Sequence, residues 1–119
     1  MIDKLPHIHQ QKNEKVIAKL PEVVVFQTVS DIFKQLNDSS RLRIFWLLCH
    51  CEECVINLSA IVNMSSPAVS HHLKQLKLSG LIVSRREGKE MYYKAADTEE
   101  VQLLHRMVEK LVKINCLQI

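Results

Sequence analysis

Glycine is nearly missing from this chain: Gly80 and Gly88 are the only two among 119 residues. A fold built from many tight turns would need more of them, so helices should dominate. Long hydrophobic runs are missing as well. The longest fully apolar stretch, Ile44 to Cys49, falls far short of the roughly 20 residues that a membrane-spanning helix needs. The opening MIDKLPHIHQQ carries no apolar h-region, so no secretory signal is expected. The chain is therefore expected in the cytoplasm, with no membrane partner. Paired carboxylates, a phosphate-cradling loop and a nucleophile constellation are also lacking, which argues against an enzyme.

What is present is the balance of a soluble globular domain, with 47% hydrophobic and 24% charged residues. The length allows one compact domain. A net charge of +3 is compatible with nucleic acid but does not by itself establish it. Four cysteines in a reducing compartment are poor candidates for structural disulfides. Three of them, Cys49, Cys51 and Cys54, crowd together, which points to metal or redox chemistry.

Residues 1–12 read as a polar arm broken by Pro6, and residues 13–119 as the domain. A short amphipathic helix is expected over Asn13–Leu20, ending at Pro21, and a second over Glu22–Leu36. The run from Asn37 to Ser40 offers N-cap chemistry for RLRIFWLLC, a helix apolar almost all round and hence central. The turn CHCEEC ends it. A short helix over Ile56–Asn63, a three-residue turn and a helix over Pro67–Ser79 give a helix-turn-helix outline. Ser66 reads as the N-cap of the second of these helices, Pro67 as its first residue and Gly80 as its left-handed stop. Leu81–Arg86 and Glu90–Lys94 read as strands around Glu87-Gly88-Lys89, a β-hairpin wing. A last helix is expected over Thr98–Asn115. The fold class is thus mainly α with a small β-hairpin, a winged helix-turn-helix.

On the Pro67–Ser79 helix, Val69, Leu73 and Leu76 share one face and should anchor it. His71 and Lys74 point the other way, with Ser70 and Gln75 on the flanks, a set suited to base edges and phosphates in a major groove. Ser65 and Ser66 suit a phosphate at the helix N-terminus. Arg85, Arg86 and Lys89 concentrate on the wing, where they could grip the DNA backbone. The competing reading is a solvated helix face beside a charged hairpin. His72, near the buried flank, reads as structural.

In the last helix the apolar residues, Val101, Leu104, Val108 and Leu111 among them, cover about half the wheel, wider than the roughly 100° stripe that packing on one domain requires. A homodimer interface is the preferred reading over a deeply seated core helix. Two copies would supply two readers for two half-sites of an operator duplex.

Three stretches carry a family resemblance: FKQLNDSSRLRIFWLL, SSPAVSHHLKQLKLSGLI and SRREGKEMYY. Together they resemble the ArsR/SmtB metal-sensing repressors over most of residues 30–115. The resemblance implies a winged-helix homodimer that dimerises through its N- and C-terminal helices. It also implies that the metal-free protein binds an operator near its own promoter and is released by an inducer, usually a metal ion.

One sensing site the family uses lies in its last helix. Asp97 matches its first position, but Glu99 stands where a histidine belongs, and Lys110 and Lys113 stand where the distal ligands belong. Ammonium groups do not ligate metal near neutral pH, so that site is read as lost. A second family site uses Cys-x-Cys at the start of the first helix of the helix-turn-helix. Cys54 matches its first cysteine and Ile56 stands at the second. Cys51 and Cys49 upstream, with His7 and His9 on the arm, could complete a thiolate and imidazole set for zinc, cadmium or lead, zinc and cadmium foremost. The cysteines could instead be small core residues. Arsenite sensing by three thiolates and thiol redox or persulfide sensing remain alternatives. Glu52 and Glu53 beside the thiols disfavour the redox reading, because they would raise thiol pKa.

Overall fold

The computed structural model describes residues 5–7 and 12–116. The chain divides into two compact units, residues 1–30 and 31–119. In the first, helix α1 (Lys12–Ala18) ends in two tight backbone bonds, from the N–H groups of Lys19 and Leu20, just ahead of Pro21. Helix α2 (Val23–Gln35) begins in the first unit with Val23, Val24 and Phe26 exposed, and ends in the second. Among the described residues no helix is long and apolar enough to cross a membrane.

The second unit is organised around α3 (Ser39–His50). Asp38 caps it, its carboxylate accepting from the Arg41 N–H at 2.9 Å. Ile44, Phe45 and Leu48 are fully enclosed, as the nearly all-apolar sequence of this helix requires. A two-residue strand β1 (Glu53–Cys54) follows, then α4 (Val55–Val62) and α5 (Ser66–Leu78). Strands β2 (Ile82–Glu87) and β3 (Glu90–Ala95) form the wing, and α6 (Glu99–Cys116) closes the chain. The sheet is antiparallel in the order β1-β3-β2, with Ile82 opposite Ala95 and Arg85 opposite Tyr92.

Caps explain the boundaries. Asn63, at φ 55°, ends α4 in the left-handed region that asparagine tolerates. The N-cap of α5 is Ser65, whose hydroxyl accepts from the Ala68 N–H at 3.2 Å. The expected cap, Ser66, is one residue late, and Pro67 accordingly stands second in the helix. Gly80 (φ 77°) ends α5 in a Schellman arrangement: Gly80 N–H donates to Lys77 O and Leu81 N–H to Leu76 O, both at 3.0 Å. Buried Leu81 and Leu76 provide the apolar contact that accompanies this motif. At the wing tip, positive φ at Gly88 alone is the pattern a type II′ hairpin asks for, so the turn has two residues rather than the three expected.

The strand missing from the sequence reading is β1. Its two residues are too short to show alternation, and it exists because Glu53 and Cys54 pair with Tyr93 and Tyr92 of β3. The core beneath α5 joins Val69, Leu73 and Leu76 to Ile44, Phe45, Leu58 and Ile82. Each such side chain contributes about 1.5–3 kcal/mol on burial. His72, also buried, accepts from Arg41 Nε at 3.2 Å through Nδ1, and burial holds its pKa below the ordinary histidine value.

Leu73→Ala should therefore cost about 2–5 kcal/mol in urea unfolding, whereas Leu78→Ala, at a side chain 73% exposed, should stay within about 0.5 kcal/mol. Equal losses would contradict the assigned faces of α5.

Candidate functional site

With Val69, His72, Leu73 and Leu76 turned inward, α5 presents Ser70, His71 and Lys74 to solvent and Gln75 at the margin. These side chains hydrogen-bond, are of modest length and lie on one exposed face of a helix held rigidly from below. Ser65 is committed to the cap, while the Ser66 hydroxyl stands 3.2 Å from that of Ser59. Lys77, absent from the candidate set, donates to the Ser84 hydroxyl at 2.6 Å and so ties α5 to the wing.

The wing cations differ among themselves. Arg85 is held by Glu52, with Nη2 at 2.7 Å and Nε at 3.0 Å from Oε1, and by Glu87 at 2.6 Å. It also lies over the Tyr92 ring. Its hydrogen bonds to Glu52 and then Glu87 push the guanidinium pKa up, and the same bond from Arg85 holds the Glu52 carboxyl below the usual range. Arg86 and Lys89 are exposed and, among the described residues, form no ion pair. They are the wing charges immediately available to a polyanion.

The cysteine cluster separates. Cys54 is buried at the start of α4, on the strand that pairs with Tyr92. Cys51 is exposed and ends α3, its backbone N–H and its thiol both donating to Leu47 O, at 2.9 and 3.3 Å. Cys49 is half-buried, and burial, reinforced by the nearby Glu109 charge, pushes its thiol up to about 11. His7 is exposed in the first unit, and His9 lies outside the described residues. At the family-type position just ahead of α6, Asp97 accepts from Gln102 Nε2 at 2.7 Å.

Among the described residues, three or more metal-ligating side chains converge at one place, and it contains none of the candidate thiols. His50, His105 and Glu109 bring their donor atoms within 4.8 Å of one another. His105 and Glu109 are four residues apart on α6 and share a face. His50, the last residue of α3, meets them from the other side and donates to Glu109. That bond holds the Glu109 carboxyl below the usual range. His105 Nε2 is buried without a hydrogen-bond partner, 3.5 Å from Glu109 Oε1. The i, i+4 pair was readable in the sequence; the approach of His50, 59 residues before Glu109, was not.

The apolar half of α6 is divided. Val101, Leu104 and Val108 are buried within their own subunit and have little surface left to offer a second chain. Leu111 is exposed, together with Leu103, Met107 and Ile114.

A buried helix-turn-helix with an outward polar helix and an antiparallel wing defines the winged helix-turn-helix class of DNA-binding domains. Comparison with known proteins narrows the class. Residues 38–84 match the model of the bacterial regulatory proteins of the arsR family. The chain is 32% identical over 106 residues, 89% of its length and 80% of the relative's, to a transcriptional repressor SmtB homolog of Synechocystis. It is 39% identical over 89 residues, 72% of each chain, to the cadmium resistance transcriptional regulatory protein CadC of Listeria innocua. A homodimeric winged helix-turn-helix DNA-binding domain of Mycobacterium bovis superimposes with a TM-score of 0.69 at 29% identity, covering 81% of this chain and 88% of that one. HlyU of Vibrio cholerae gives 0.69 at 27% identity over 80% of this chain and 99% of its own. The chain belongs to the ArsR family, whose members are DNA-binding transcription regulators and not enzymes.

The thiol geometry predicts an order of alkylation in the reduced native protein. The exposed Cys51 and Cys116 should react first, Cys49 at least about tenfold more slowly, and Cys54 only on unfolding. Peptide mass spectrometry after timed iodoacetamide quenching checks this, and early labelling of Cys54 would contradict its burial.

Proposed function

We propose that this protein is a homodimeric, cytoplasmic transcriptional repressor that binds operator DNA through α5 and the wing and is released by a divalent metal ion, zinc or cadmium. The observation that carries the reading is the exposed row Ser70, His71 and Lys74, with Gln75 at its edge, on a helix whose opposite face is sealed into the core. Ser70, His71 and Gln75 address base edges, and Lys74 addresses a phosphate. The N-terminal turn of α5, with Ser65 and Ser66, sits against a phosphate, while Arg86 and Lys89 grip the backbone from the wing.

A second copy supplies the other half-site. Leu103, Met107, Leu111 and Ile114 form the apolar strip on α6 that it would cover. The homodimeric Mycobacterium bovis relative supports this assembly. Metal response is supported by relatives named for cadmium resistance and for repression.

The test begins with duplexes selected from a random pool by the metal-free protein, followed by anisotropy titrations at several salt concentrations. A two-fold symmetric site should emerge. Lys74→Ala and Arg86→Ala should each lower the slope of log affinity against log salt by about one unit. Glu52→Gln, which removes one of the two carboxylates that hold Arg85, should tighten binding and steepen the slope. Failure to enrich any duplex, or slopes unmoved by these changes, would contradict the reading.

A further inference from the structure

The geometry assigns the metal response to His50, His105 and Glu109, a three-donor centre for a borderline divalent cation of the zinc, cobalt or nickel kind. This inference rests on the metal-responsive reading above and supplies the site that reading lacks. Donors at zinc-ligand distance in a tetrahedron stand about 3.3 Å apart. His105 Nε2 and Glu109 Oε1 are 3.5 Å apart, and all three donor atoms lie within 4.8 Å of one another. Small side-chain movements therefore complete the set. Two imidazoles and a carboxylate form a ligand set that binds zinc well, and imidazole suits nickel too, whereas thiolates select softer ions.

A second observation points the same way. His105 Nε2 is buried and has no hydrogen-bond partner. A buried ring nitrogen whose nearest partner is a carboxylate oxygen at 3.5 Å is poorly satisfied, and coordination would remove that cost. The neighbourhood is also ordered. The His50 ring packs against Trp46 at 4.3 Å between centroids and edge-on to His105 at 4.9 Å. Such packing restrains the rings before any ion arrives.

The position links this centre to the DNA-binding elements. An ion held there ties the last residue of α3 to α6. Two residues beyond His50, Glu52 holds Arg85 of the wing, and β1 begins at Glu53. Occupancy would thus act on the segment that joins the core helix to both the wing and α4.

Cobalt(II) titration of the full reduced chain tests the assignment. One ion per chain should produce visible d–d bands without a sulfur-to-cobalt charge-transfer band. It should also quench Trp46, the one tryptophan in the sequence. Zinc should displace the cobalt. Losing an outer-shell partner commonly costs 10–100-fold in metal affinity, so Glu109→Gln and His105→Gln should each weaken cobalt binding at least about tenfold. Both variants should keep metal-free DNA binding and the native circular dichroism spectrum, and replacing Cys49, Cys51 and Cys54 together by serine should leave cobalt affinity unchanged. Zinc should release the wild type from its duplex but not Glu109→Gln. A sulfur charge-transfer band, no cobalt binding, or unchanged affinity in the Glu109 and His105 variants would overturn the assignment. Failure of the broader reading would show separately, as a metal-free wild type that binds no duplex.

Discussion

The arrangement depends on one packing contact, the burial of the inner face of α5 on α3. Val69, Leu73 and Leu76 meet Ile44 and Phe45 in a core that also takes in Leu58 and Ile82. Close-packed interiors resist rotation and translation of their elements. Fixing these residues therefore fixes which residues of α5 face outward. Ser65 and the Schellman turn at Gly80 set where the helix begins and ends, and the wing follows from Leu81 and Ile82, whose side chains return to the same core.

Electrostatics sorts the surface that this core supports. Arg85, pinned by Glu52 and Glu87, fastens the wing to the segment after α3, while Arg86 and Lys89 remain outside that network. A single short hairpin thus combines a structural cation with two that are open to a phosphate backbone. Helix α6 divides its labour in the same way. One edge completes the core through Val101 and Leu104, another leaves Leu103, Met107 and Leu111 uncovered, and His105 with Glu109 faces the end of α3.

Much of the fold was legible because it is encoded locally. The period of apolar residues gave the inward face of α5, and the two glycines marked the end of α5 and the turn of the wing, where positive φ is needed. Cap positions slipped by a residue because Ser65 and Ser66 are equally good caps by type, and only the backbone decides between them. Strand β1 was hidden, since two residues carry no period. The apolar half-wheel of α6 was visible, but its partition was not: Val101, Leu104 and Val108 turn into their own subunit, whereas Leu111 does not. The cysteines stood out by spacing, yet their thiols end in three different settings, buried, half-buried and exposed. The convergence of His50 with His105 and Glu109 depends on two helices meeting, which no local pattern records.

The central claim is that the outer face of α5, backed by this core, is the surface that reads DNA. Amide chemical-shift mapping of the metal-free protein, titrated at moderate salt with its selected duplex and with a scrambled duplex, tests it most directly. The account predicts the largest sequence-dependent shifts at Ser70, His71 and Lys74, with wing shifts at Arg86 and Lys89 that both duplexes produce. Shifts confined to α6, or the same pattern on α5 for both duplexes, would contradict it.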